Sequence, residues 1–192
     1  MKVLIACESS EVVKRAFLLR GHEAHSCDLL LGEQGLPNHH QCDILGLLQE
    51  YKGYFDMMIA HPPCTYLCNS GVRWLTEREG RWQQMRDGAL FFKALLDADI
   101  PKIAVENPIP HKYALEIIGR KYDEIIQPWW FGDGETKATC LWLKNLPPLM
   151  ATCVSLGRIQ RIHSMGPSED RGKERSKTYQ GFASAMAQQW GT

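Results

Sequence analysis

The stretch Phe55-Asp-Met-Met-Ile-Ala-His-Pro-Pro-Cys-Thr-Tyr-Leu-Cys-Asn-Ser-Gly71 decides how this chain is read. Residues 55–60 form an apolar run of the kind that makes a buried strand in a parallel sheet. Pro62 and Pro63 break the run and set Cys64 at its exit. Open α/β sheets bind ligands outside the carboxyl ends of their strands. A thiol fixed there by two prolines reads as the nucleophile of an enzyme.

Working outward, residues 2–7 read as a first buried strand, and residues 11–20 as a helix ended by Gly21. Residues 22–29 make a second strand closing on Asp28, and residues 30–41 read as loop. Downstream, residues 82–99 form a long helix with Met85, Ala89, Phe92 and Leu96 on one face. Residues 103–106 are the next strand, stopped by Asn107-Pro108, and residues 113–118 a short helix. Residues 125–130 and 139–143 read as the last two strands. Strands alternating with helices predict an α/β fold, a Rossmann-like, doubly wound and mostly parallel sheet.

At 192 residues the chain suits a single domain, 1–192, with a full core. Charge balances at 22 basic against 22 acidic residues, so no global field marks a polyanionic partner. The seven cysteines follow no paired-ligand spacing, and His61-x-x-Cys64-x-x-x-Cys68 does not assemble four zinc ligands, so no metal is expected. With no leader pattern and no apolar run of roughly 18–20 residues, the expected setting is cytoplasmic and reducing, away from membranes. Residues 157–178 depart from the neutral balance. Arg158, Arg161, Arg171, Lys173, Arg175 and Lys177 face only Glu169, Asp170 and Glu174, and Gly166, Pro167 and Gly172 predict a basic loop. Such a segment is either a solvated surface or a set of phosphate contacts. Residues 179–190 close the chain as a helix.

One strand–helix–strand crossover separates Cys64 from Glu106, and in a parallel sheet it brings both strand ends to one edge. A carboxylic acid beside a thiolate can protonate an electrophile as the thiolate attacks it. The expected pair is therefore Cys64 and Glu106 in one cleft.

These residues carry a resemblance. Pro62-Pro63-Cys64, followed by Ser70-Gly71, resembles the catalytic loop of the DNA cytosine-5 methyltransferases, and Val105-Glu106-Asn107 resembles their Glu-Asn motif. Asp28 ends the second strand where that family carries an acidic residue for the ribose of S-adenosylmethionine. Cys42-Asp43-Ile44 resembles the Gly-Asp-Ile that contacts its adenine, and Lys137 and Thr139 stand where the family has a Gln-x-Arg-x-Arg strand. The resemblance implies a fold of the S-adenosylmethionine-dependent methyltransferase type acting on DNA. It also implies that Cys64 adds to C6 of a pyrimidine while Glu106 binds N3 and the exocyclic amine. Asn107 would fix the loop of Cys64, and Lys137 would contact the base carbonyl. Glu8, Ser9, Ser10, Asp28, Asp43 and Pro62 would hold the cofactor. Arg158, Arg161, Arg171, Lys173 and Arg175 would meet nucleic acid.

Three departures stand beside it. The first loop, Ala6-Cys7-Glu8-Ser9-Ser10, has no glycine for close approach to a cofactor. The family's arginine pair is replaced by Lys137 and Thr139. Little chain follows Leu149, which leaves no expected room for a domain that reads DNA sequence. Two other readings follow. One is C5 chemistry on a free pyrimidine nucleotide or with another one-carbon donor. The other is an inactive relative that binds nucleic acid or protein.

Overall fold

A computed structural model describes residues 1–166 and 171–192. The chain order is β1 (Lys2–Ala6), α1 (Val12–Leu18), β2 (Glu23–Asp28), β3 (His39–Gln41), α2 (Ile44–Glu50), β4 (Met57–Ala60), α3 (Trp74–Glu77), α4 (Arg81–Leu96) and β5 (Lys102–Pro108). There follow α5 (Lys112–Ile118), β6 (Glu124–Ile126), β7 (Thr139–Lys144), α6 (Arg161–Ser164), α7 (Arg171–Ser176) and α8 (Gln180–Trp190). The seven strands form one sheet in the order β3-β2-β1-β4-β5-β7-β6. The first five in that order run parallel to one another, and β7 runs antiparallel to both β5 and β6. This is a Rossmann-like α/β fold.

Burial on both faces explains why the central strands are uninterrupted apolar runs. The pleat sends Leu4, Ala6, Met58, Ala60, Ile103 and Val105 into one core with Phe92, Leu95 and Trp142. It sends Val3, Ile5, Met57, Ile59 and Ala104 into the other, with Phe17, Phe182, Met186 and Trp190. Helices α2, α4 and α5 supply the first core, α1 and α8 the second. Met85, Ala89, Phe92 and Leu96 of α4 are all buried, as the helical spacing requires.

Four elements differ from the sequence expectation. Residues 39–41 are strand rather than loop, although His39-His40-Gln41 has no apolar run. They are an edge strand held by side chains, with Ser26 Oγ to His39 Nδ1 at 2.8 Å and His25 Nδ1 to His40 Nε2 at 2.9 Å. β5 continues through Pro108, because Asn107 and Pro108 still pair with β7 after β4 has ended. β6 stops at Ile126, where Pro128–Trp130 turn as a 3-10 helix. With no helix to carry it across the sheet, the chain returns antiparallel as β7. Within 157–178 the described residues form α6 and α7, two short helices rather than open loop. Close approach of Gly134 and Gly157 seats this segment, since a Cβ on Gly157 would lie 2.9 Å from Gly134 Cα. Among the described residues no helix is long and apolar enough to cross a membrane.

Candidate active site

The strand order reverses between β1 and β4, so the loops leaving these two strands flank the crevice where such sheets bind ligands. The loop after β4 carries His61 to Cys68, and the neighbouring end of β5 with the loop that follows it carries Glu106 to His111. Their backbones are joined directly. Asn69 N–H donates to Ile109 O at 2.9 Å, and His111 N–H to Leu67 O at 3.0 Å. Side chains complete the stitching. Asn107 Nδ2 donates to Pro62 O at 2.8 Å, so Asn107 holds the turn that presents Cys64. His111 accepts from Ala114 N–H at the start of α5, and its Nε2 lies 3.1 Å from Tyr66 O as donor. From α4, Arg81 Nη2 donates to Thr65 O at 2.6 Å and its guanidinium lies over Tyr66. The residues around Cys64 are thus gripped from β5, α5 and α4.

The loop after β1 is built differently. It hooks onto β2 through Glu8 N–H to Cys27 O at 3.2 Å. Cys7 and Glu11 adopt positive φ, 58° and 57°, a conformation that usually calls for glycine. A loop without glycine nevertheless makes a glycine-like turn. Glu8 is buried, and its carboxyl accepts from Val13 N–H at 2.7 Å, Lys14 N–H at 3.3 Å and Ser10 Oγ at 3.2 Å. It therefore serves buried amides at the start of α1 that have no partner within the helix. Burial pushes this carboxyl up, against the opposing charge of His61 and the bonds it accepts. Asp28 accepts from Leu30 N–H, and Asp43 caps α2 through Gly46 N–H. Both carboxylates act on Cys7, whose thiol is pushed up to about 12 by burial and by their charges. Cys7, Asp28 and Asp43 therefore converge at one end of the sheet. Ser9 O accepts from Glu33 N–H.

Glu106 is 15% exposed and accepts a hydrogen bond from His61 Nδ1 at 3.1 Å. Burial pushes its carboxyl up, but the His61 bond and the charges of Lys137 and His61 outweigh this and hold it below the usual range. Cys68 N–H donates to Cys64 O at 3.1 Å, so the two cysteines are neighbours. Proximity to Cys68, burial and the charge of Glu106 push the Cys64 thiol up, with Lys137 opposing. Cys68 is pulled down by its neighbour Cys64 and by donors from Ser70 and Gly71. Lys137 donates through Nζ to Arg175 O at 2.9 Å, while its charge reaches both Cys64 and Glu106.

The basic segment lies against the chain just before Lys137, with Thr136 N–H donating to Ile159 O at 3.0 Å. Arg158 stacks on Trp129 at 3.7 Å, and Arg161 pairs with Glu135 at 2.7 Å, where Tyr179 OH also donates. Arg175 reaches Ile162 O. The side chains of Arg171 and Lys173 lie outside the described residues.

Cys64, Glu106, Asn107 and Lys137 are thus brought to one edge, with Glu8, Asp28 and Asp43 along its continuation. His61, Cys68, Arg81 and His111 join them without having been singled out for these contacts. His61 had a signal available, because it leaves a buried strand on the same edge as Glu106.

No family model matches the chain, and no curated protein matches its sequence. Its structure is similar to that of the Entamoeba histolytica methyltransferase EhMeth, with a TM-score of 0.52 and 13% sequence identity. The match covers 88% of this chain and 60% of that one, so the chain spans about three-fifths of that structure's length. At such identity the likeness establishes the fold alone, a Rossmann-like α/β sheet flanked by helices.

Proposed function

We propose that this protein transfers a methyl group from S-adenosylmethionine to C5 of cytosine in DNA, with Cys64 as the nucleophile. One observation supports the reading above all others. Parallel β4 and β5 set Cys64 and Glu106 at one sheet edge, near enough for the carboxylate to act on the thiol. The fold around them is of the methyltransferase type, and Pro62-Pro63-Cys64 and Val105-Glu106-Asn107 resemble the cytosine-5 motifs.

The first loop fits the cofactor. Its backbone turns through positive φ at Cys7 and Glu11, and Asp28 and Asp43 bring hydroxyl-binding carboxylates to the adjacent strand ends. Those two residues, with Glu8, Ser9, Ser10 and Pro62, would hold it, Glu8 sharing its carboxyl with the start of α1. When bound, the cofactor supplies an electrophilic methyl group. The chain's residues do the rest. Cys64 passes its proton to Cys68, and the resulting thiolate adds to C6. The electron pair of the C5–C6 double bond moves into the ring, and Glu106 protonates N3 while accepting from the 4-amino group. C5 is then electron-rich. Once C5 carries the methyl group, a solvent water takes the C5 proton. The electron pair re-forms the C5–C6 double bond as the Cys64 thiolate leaves, and the N3 proton returns to Glu106. Lys137 holds the base carbonyl, and a base in duplex DNA is first turned out of the stack. Arg158, Arg161, Arg171, Lys173 and Arg175 contact the phosphates.

Incubation with methyl-labelled S-adenosylmethionine and DNA is expected to place label on cytosine C5, and Cys64→Ser to reduce transfer to background. Unlabelled DNA from an active wild-type preparation would sink the reading. One observation favours a smaller substrate, a free pyrimidine nucleotide: Arg158 and Arg161 are already engaged by Trp129 and Glu135. Label on a nucleotide but not on DNA would select it.

A further inference from the structure

His61 is the residue of this edge that the proposed chemistry does not yet use. It leaves β4 with its backbone N–H bonded to Ala6 O at 2.9 Å, which places it between the loops after β1 and β5. Its side chain is only 8% exposed. Nδ1 faces Glu106 Oε2 at 3.1 Å, and Nε2 is buried with no hydrogen-bond partner among the described residues. Buried ring nitrogens are seldom left idle, and those that are tend to lie where a ligand or a proton is handled. The charged neighbours come from each packed element. Glu106 is on β5 and Glu8 follows β1, Cys64 is on His61's own loop, and Lys137 acts on Glu106 from the chain before β7. Cys140 on β7 feels Glu106 as well, its thiol pushed up to about 12 by burial and then by that charge.

In either protonation state the imidazole donates through Nδ1–H, because the Glu106 carboxylate it faces can only receive. We propose that His61 is a positioning residue for Glu106, tying Oε2 so that Oε1 is the oxygen presented to the pyrimidine. The role rests on the Cys64 mechanism. In the substrate complex a proton taken from solvent is held between Oε1 and N3. As Cys64 adds to C6, that proton moves to N3 and the negative charge stays on the carboxylate, stabilised by Nδ1–H. On elimination the proton returns from N3 to Oε1. His61 neither gains nor loses a proton in the cycle; it makes Glu106 a stronger and correctly turned acid.

Two readouts test this on the full chain. In protein labelled with ¹³C at the glutamate carboxyl, Glu106→Gln assigns the Glu106 resonance. His61→Leu is expected to make that carboxyl titrate at higher pH than in the wild type. His61→Asn, whose amide offers a donor near the Nδ1 position, is expected to bring the titration back. Adduct formation on DNA containing 5-fluorocytosine is expected to fall roughly a hundredfold in His61→Leu, the low end of what positioned proton transfer contributes, and to recover in part in His61→Asn. Circular dichroism selects variants that are folded. An unchanged Glu106 titration in folded His61→Leu would overturn the proposal, as would equal rate losses in the two variants. A wild type that forms no adduct refutes the methyl-transfer reading instead, and the carboxyl titration still judges the His61–Glu106 pair.

Discussion

Two loops meet at the carboxyl edge of the sheet, and they are held by opposite means. The loop after β4 is stiffened by Pro62-Pro63 and tied from outside by Asn107, His111 and Arg81, each bonding a backbone carbonyl between Pro62 and Tyr66. The loop after β1 is held from within. It turns through positive φ at Cys7 and Glu11, and two buried carboxylates act on it. Glu8 caps α1, while Glu11 forms a fully buried pair with Lys14 at 2.8 Å and accepts from Gln34 N–H and Leu36 N–H. The first device can be trimmed bond by bond. The second puts charge in the interior, where removing one partner strands the other.

The largest expected effect follows from that difference. Glu11→Gln removes the buried counter-charge of Lys14, leaving its Nζ the neutral acceptors Ser26 Oγ and Leu36 O, and denaturant melts should show a loss of about 3–5 kcal/mol. Asn107→Ala unties only one buried carbonyl, that of Pro62, and should cost about 1–3 kcal/mol. If Asn107→Ala proves the more damaging, the two loops are not held as described.

The two carboxylates of the first loop should also oppose each other with pH. Glu11 is pushed up by burial but pulled further down by Lys14 and the amides it accepts, so its folded value lies below the ordinary one. Its contribution is present above the ordinary carboxylate value and is lost as pH falls through the lowered one. Glu8 is raised, so its contribution is present below the ordinary value and is lost as pH rises through the raised one. Stability measured against pH should therefore keep its acid limb and lose part of its decline above the ordinary carboxylate value in Glu8→Gln, whose amide oxygen can still cap α1. An unchanged decline there would remove Glu8 from the account. The smallest effect is expected from Cys7→Gly, which relieves a positive φ but gives up a small buried side chain. Thermal melts should place it within about 1 kcal/mol of the wild type.

The same contrast explains what could be read from the amino acids alone. β1, β4 and β5 were legible because burial on both faces leaves continuous apolar runs, and α4 because Met85, Ala89, Phe92 and Leu96 recur at helical spacing. Cys64 and Glu106 were legible because proline marks their turns and the crossover between them fixes their edge. The first loop was not, since its strain sits in backbone angles of Cys7 and Glu11 rather than in a glycine. β3 is three polar residues whose register depends on histidine contacts. The reversal of β7 lies in the connection after β6, which holds only the single 3-10 turn Pro128–Trp130 and no α-helix, and no residue pattern within the strand records it. His61 was weighed only as a metal ligand, because its partner Glu106 becomes visible when β4 and β5 are side by side.

The identity of the attacking sulfur tests the central claim most directly, because Cys64 and Cys68 are neighbours, joined by Cys68 N–H to Cys64 O at 3.1 Å, and only one of them can be the nucleophile. DNA containing 5-fluorocytosine, incubated with the protein and S-adenosylmethionine, should trap a covalent complex whose digestion places the nucleotide on Cys64. Its formation should survive Cys68→Ala at reduced rate and vanish in Cys64→Ala. An adduct mapped to Cys68, or one that persists in Cys64→Ala, would contradict the account.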